Sequence, residues 1–244
     1  CVVLADVAGV FIDGRYRVQV RAQVADTFTP VHWPETQLAD WLTAQMPNGG
    51  RLAYDPWLHT VSEIAGLRDK LSDFELVPTD NLVDQIWDDQ PAPPDAPFTA
   101  HTIEHAGETH DTKRGRLSKD LKESAAILTL PDSIAWLLNI RGTDIARNPV
   151  PQAFAVLYQD GRVDLFAAAG KAEDIADHLG PDVAIHDIGG FLPAIEAMQG
   201  KVLIDTRTCP DIVATTLKHP GCDVVKGQDP CILPKACKNA TEIA

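Results

Sequence analysis

The sequence predicts an α/β fold laid down twice in succession. Three observations lead there. Short apolar runs alternate with segments of helical period over most of the 244 residues, a proline-rich stretch breaks that rhythm near residue 95, and the two halves follow one plan.

In the first half, apolar runs predict strands at residues 2–4 and 10–12, joined as a hairpin. A helix is predicted over 16–24, then a strand at 27–31, a helix at 36–46 and a strand at 51–54. Val61, Ile64, Leu67 and Leu71 fall on one helical face, so 60–71 is read as a helix. A strand at 74–77 closes the series. Pro91, Pro93, Pro94 and Pro97, with few buriable side chains around them, predict an interdomain linker.

The second half restarts with a polar helix at 113–122 and a strand at 125–130. Asp132 is the expected N-cap of a short helix over 132–138. Strands at 154–158 and 163–166 flank Gln159-Asp160-Gly161-Arg162, where Asp-Gly suits a type I′ hairpin turn. Helices at 172–179, 191–198 and 211–217 then alternate with strands at 183–186, 202–205 and 223–225.

Gly50-Arg51-Leu52-Ala53-Tyr54-Asp55 matches Gly200-Lys201-Val202-Leu203-Ile204-Asp205 at an offset of 150, and the opening hairpin matches residues 154–166 at an offset near 153. A strand, helix and loop at 125–153 precede the second hairpin, whereas the first copy starts at the hairpin itself. The first copy is therefore expected to be truncated. Domains are expected at 1–90 (partial) and 112–232, with a linker at 91–111 and the start of a further domain at 233–244.

Composition narrows the function. The 35 acidic and 21 basic residues give a formal charge of −14, a field that repels phosphate backbones and anionic membranes. Nucleic acid and membrane are not expected partners. No run of 18 apolar residues and no leader pattern is read, and five cysteines, four of them between 209 and 237, make a poor disulfide framework. A cytoplasmic location is expected.

Three stretches resemble the aminopeptidase P (Xaa-Pro aminopeptidase) family in its three-domain form. Phe11-Ile12-Asp13-Gly14-Arg15-Tyr16 is similar to a strand-to-helix segment of the family's first domain. Asp132-Ser133-Ile134-Ala135-Trp136-Leu137-Leu138-Asn139-Ile140-Arg141-Gly142-Thr143-Asp144-Ile145, with Asn148-Pro149-Val150, resembles the long motif of the second. Lys235-Ala236-Cys237-Lys238-Asn239-Ala240-Thr241-Glu242 is similar to the helix that opens the catalytic third domain. Asn81-Leu82-Val83-Asp84-Gln85-Ile86-Trp87 also fits.

The resemblance implies two creatinase N-terminal-type, ribonuclease H-like domains with mixed sheets flanked by helices, the first incomplete. It further implies a pita-bread catalytic domain outside this chain. There two divalent metals, usually manganese, would activate hydroxide against the bond before proline. This portion would then be non-catalytic, hold no cofactor of its own, shape access for Xaa-Pro peptides and contribute to a homodimer. Two other readings stand beside it: a non-peptidase interaction module of the same superfamily, and a creatinase-type amidinohydrolase.

Candidate sites follow. By the resemblance Arg15 binds substrate; read alone, it is a helix-start arginine paired with a carboxylate. Arg141, Asp144 and Asn148 lie in a Gly- and Pro-containing loop that lines a cleft or interface, or ties domains together. His101, Glu104, His105, Glu108, His110 and Asp111 form a metal-like cluster, but their proline-rich context reads as a solvated linker. Cys209, Cys222, Cys231 and Cys237 lack a Cys-x-x-Cys pair and read as buried or half-buried free thiols. No Gly-x-Ser-x-Gly elbow and no phosphate loop occurs.

Overall fold

Alternate side chains of a strand face opposite sides of its sheet, and in the larger sheet of this chain both sides are buried. The computed structural model describes residues 1–243 in two units, residues 1–54 with 65–78, and residues 55–64 with the chain from Thr79 onward.

The first unit contains β1 (Val2–Val3), β2 (Ala8–Ile12), a 3-10 turn (Gly14–Tyr16), α1 (Gln19–Gln23), β3 (Phe28–His32), α2 (Leu38–Gln45), β4 (Gly50–Tyr54) and β5 (Phe74–Pro78). Helix α3 (Val61–Lys70) is divided between the units at Ala65. β1 pairs antiparallel with β2, β2 parallel with β3, and β4 parallel with β5 as a separate pair. Val31, Ala39, Trp41, Leu42 and Leu71 form the core, with the Phe11 ring edge-on to Trp41 at 5.7 Å.

The second unit continues with β6 (Thr99–Ala100), α4 (Ile103–Ala106), α5 (His110–Asp120), β7 (Ala125–Leu128), α6 (Pro131–Leu138) and β8 (Ile140–Arg141). Next come β9 (Phe154–Tyr158), β10 (Val163–Ala167), α7 (Ala176–Leu179), β11 (Val183–Asp187), α8 (Phe191–Glu196), β12 (Gly200–Ile204), α9 (Asp211–Thr216), β13 (Cys222–Lys226), α10 (Ile232–Ala236) and α11 (Ala240–Ile243). Its mixed sheet runs β11-β10-β9-β7-β12-β13. Val163, Leu165 and Leu157 face Ile134, Leu137 and Leu138 of α6, and Val156, Phe166 and Val202 face Phe191, Ile195 and Val213 of α8 and α9.

The sequence repeat has a structural counterpart. β1 to β5 correspond in order and sense to β9 to β13, since β9 and β10 are antiparallel and the pairs β10–β11 and β12–β13 are parallel. Leu52 pairs with Leu76 as Val202 pairs with Val224. Asp55 and Asp205 end β4 and β12 alike, each accepting through Oδ1 from the backbone N two residues on, Trp57 at 2.8 Å and Arg207 at 3.0 Å. The first unit's elements include no counterpart of β7 and α6.

Several expectations need correction. Pro131 occupies the first turn of α6 with Leu130 as N-cap, so Asp132 sits inside the helix and pairs with Lys235 instead. Proline's fixed φ suits that position. Gly161 alone of Gln159–Arg162 has positive φ, 87°, so the hairpin turn is not type I′, which needs two such residues in succession. The helix predicted over 16–24 is a 3-10 turn and a five-residue helix. Residues 91–111, expected as a linker, belong to the second unit, with β6 antiparallel to β8, α4 and the start of α5. Residues 233–243 lie against the second unit. Asn239 Nδ2 donates to Ala106 O at 2.8 Å, and Asn239 and Glu242 form a reciprocal capping box at the start of α11.

Candidate functional site

Arg15 stands where β2 passes into the first 3-10 turn. Asp13 caps that turn, its Oδ1 accepting from Arg15 N at 2.8 Å. The carboxylate also holds the guanidinium, with Nε at 3.1 Å from both oxygens and Nη2 at 2.5 Å from Oδ2. The hydrogen bond to Arg15 holds the Asp13 carboxyl below its ordinary range, and Asp13 in turn raises Arg15. The arginine side chain is 80% exposed, and its Nη1 makes no hydrogen bond among the described residues. A rigid, solvent-facing fork with a free donor edge can meet a carbonyl or carboxylate.

The same lock recurs at Asp160-Gly161-Arg162, with Arg162 N at 3.0 Å from Asp160 Oδ1 and Nε at 2.8 Å from Oδ2. There it closes a hairpin turn. The lock occurs again at Asp205-Thr206-Arg207, between β12 and α9, with Arg207 N at 3.0 Å and Nε at 3.3 Å from Asp205 Oδ1, so the Asp-x-Arg geometry is turn chemistry and it is the family resemblance that singles out Arg15.

The long motif around α6 resolves mostly into fold-holding contacts. Asn139 adopts φ 52° as the C-cap of α6 and donates through Nδ2 to Glu108 O at 2.8 Å. Buried Lys113 donates to Trp136 O at 2.9 Å and Asn139 Oδ1 at 2.7 Å, with its ammonium over the Trp136 ring. Burial lowers the Lys113 pKa. At Gly142 a Cβ would lie 2.5 Å from Val150 O.

Of the loop residues singled out, Arg141 is half-buried and donates to Ile140 O at 2.8 Å, and burial lowers its pKa. Asp144 is not a cleft residue. Its side chain is 0% exposed, paired with Lys171, and accepts from Ala96 N at 3.1 Å, while Lys171 also donates to Pro94 O at 3.0 Å. Asn148 is exposed and lines a cavity of about 530 Å³ with Thr129, Asp132, Ile145, Val150 and Phe154. The structure thus separates Asn148 from Asp144 in role.

The metal-like cluster is dispersed. His101 and His105 stack at 5.7 Å, Glu108 pairs with Arg116, Asp111 with Arg114, and the buried His110 ring bonds His178 O at 2.8 Å. Among the described residues no group of three or more histidines, cysteines or acids is placed to hold a metal. Cys209 and Cys231 are buried and Cys222 half-buried, but Cys237 is exposed, against expectation. Burial pushes the Cys209 thiol up to about 12, and that of Cys231 well above the usual range, so neither is a nucleophile near neutrality.

Lys171 and Lys113 escaped the sequence reading. A lone lysine in Phe166-Ala167-Ala168-Ala169-Gly170-Lys171-Ala172 was the available signal, since a lysine inside an apolar run is buried only with a partner.

Family models described as the creatinase/prolidase N-terminal domain match residues 1–86 and 89–242. A probable Xaa-Pro aminopeptidase P of Coprinopsis cinerea is 31% identical, aligned over 99% of this chain and 43% of its own length. Another from Coccidioides posadasii is 34% identical over 78% of this chain and 33% of its own length. An X-prolyl aminopeptidase structure from Caenorhabditis elegans, described as a cytosolic enzyme with a di-nuclear active site, matches with a TM-score of 0.87 at 26% identity. That match covers 99% of this chain and 42% of the other. The chain thus spans less than half the length of these relatives.

Proposed function

Because the chain belongs to the creatinase/prolidase N-terminal domain family, which its sequence matches twice, we propose that it serves as the non-catalytic front portion of a metal-dependent Xaa-Pro aminopeptidase. The alignment of 99% of the chain, in one pass, with an Xaa-Pro aminopeptidase P carries this reading.

In this reading the two divalent metals, manganese among the candidates, are held by the part of the enzyme that this chain does not span. The described residues offer no ligand cluster for them. The chain's own contribution is to bind and orient. Arg15, fixed by Asp13 and open on its Nη1 edge, donates to a carbonyl or terminal carboxylate of a peptide with proline second. The homodimer and the cytoplasmic location expected from sequence belong to the same proposal. The location is supported by the cytosolic description of the C. elegans enzyme and the dimer by the family resemblance alone.

The test is Arg15→Ala and Arg15→Lys in the full-length enzyme carrying this chain. Loss of one charge-assisted hydrogen bond should cost about 1.5–3 kcal/mol, roughly ten- to a hundredfold in kcat/KM. Metal content and Tm should stay at wild-type values. If both variants match wild type for peptides of every length, Arg15 is a turn residue only; a loss that tracks Tm or metal content makes it structural.

A further inference from the structure

Two histidines join α5, α6 and α7, three helices that pack on one face of the second unit's sheet. His110, the first residue of α5, bonds through Nε2 to His178 O at 2.8 Å, in the last turn of α7, where helix carbonyls lack partners of their own. His178 bonds through Nε2 to Leu138 O at 3.0 Å, at the end of α6. A carbonyl only accepts, so both rings carry a proton on Nε2. The other nitrogens differ. His110 Nδ1 accepts from Arg114 Nε at 3.4 Å, and a guanidinium only donates, so the His110 ring is neutral. His178 Nδ1 makes no hydrogen bond among the described residues. We propose that His110 is an acid-sensitive latch of the second unit: a proton on Nδ1 removes the acceptor of Arg114 Nε and exchanges the partners of Asp111, which loosens the start of α5.

The neighbours define that exchange. Asp111 Oδ1 lies 3.5 Å from His110 Nδ1 and is held by Arg114 Nη2. A protonated Nδ1 donates to this oxygen, while the guanidinium keeps Gly161 O at 2.5 Å, in the turn between β9 and β10, and Asp182 at 3.7 Å. Arg114 is 3% exposed and His110 7%, so water does not replace the lost acceptor, and two cations then stand side by side. A proton on His178 Nδ1 has no such consequence, because the bond to Leu138 O stays in place.

Burial is the largest influence on the His110 ring and holds it below its ordinary value; Arg114 and the His178 ring act in the same direction, against the His178 carbonyl and Asp111. The unfolded chain therefore binds this proton more readily than the folded one. The latch stabilises fully above the ordinary value of 6.5, and its contribution is lost as pH falls through that value.

Histidine-ring NMR on the wild-type chain, assigned through the backbone, should find the neutral His110 proton on Nε2 and a titration midpoint below 6.5. In urea titrations of the chain, glutamine at this position keeps a donor and an acceptor but takes up no proton. Between about pH 7.5 and about pH 5 the unfolding constant of the wild-type second unit should therefore rise roughly tenfold more than that of His110→Gln, the share of one hydrogen bond to a charged group. His178→Gln should respond to pH as the wild type does. A neutral ring protonated on Nδ1, or a midpoint at or above 6.5, would overturn the proposal on the wild-type protein alone. Equal pH responses of wild type and His110→Gln would also overturn it, as would a response abolished by His178→Gln, which would make the other ring the sensor.

Discussion

Asp144 is the residue at which sequence and structure part most clearly. Its neighbours, Gly142, Thr143 and Arg147, read as a surface loop, and the reading fails because the residue that buries it lies 27 positions on. Lys171 reaches it from the end of β10, and both side chains are at most 2% exposed. A buried pair of this kind contributes little compared with an apolar substitute, but removal of one partner leaves an uncompensated charge. Lys171→Met should therefore cost about 3–5 kcal/mol in urea unfolding, and the pair Lys171→Met with Asp144→Asn markedly less. If the double variant is as unstable as the single one, the ion pair is not what fixes residues 94–96 to this loop. Arg15 was legible for the opposite reason: its partner Asp13 is two residues away, and local motifs survive in a one-dimensional reading.

Strands and the order of elements were readable because their signals are local. A continuous apolar run located β9 without error, whereas β4 and β12 begin at Gly50 and Gly200, one and two residues before the starts read from sequence. Helix starts were less readable where side-chain and backbone rules compete, as at Pro131, which displaced Asp132 from the cap. The turn into β4 shows what a glycine can do that no periodicity announces. Gly49 has φ 69°, and a Cβ there would lie 1.9 Å from Asp73 O, a backbone atom with no freedom to yield. Gly49→Ala combines left-handed strain with that overlap, so it should destabilise the first unit by about 2–4 kcal/mol. Gly66→Ala, at a helical position with open space around the added carbon, is the control, expected to be neutral or stabilising by up to about 1 kcal/mol. Equal stability of the two variants, measured by urea titration, would mean that the β4 turn rearranges freely.

At the scale of the molecule, one plan gives two units of unequal solidity. The first unit's core comprises five buried apolar residues, whereas the two faces of the second unit's sheet bury nineteen and twelve. Hydrophobic stabilisation grows with the apolar area removed from water, while the chain entropy lost per ordered residue is similar in both. The first sheet is also in two pieces, so β4 and β5 rest on each other and on helices rather than on a central strand. Such a unit should open first. Hydrogen exchange under rising urea, followed on peptides from β2–β3 and β9–β10, should show two transitions, the first-unit midpoint lower by about 1 M or more. One coincident transition in both sets would mean that the units unfold as a single cooperative body, and the smaller core would then owe its stability to the larger.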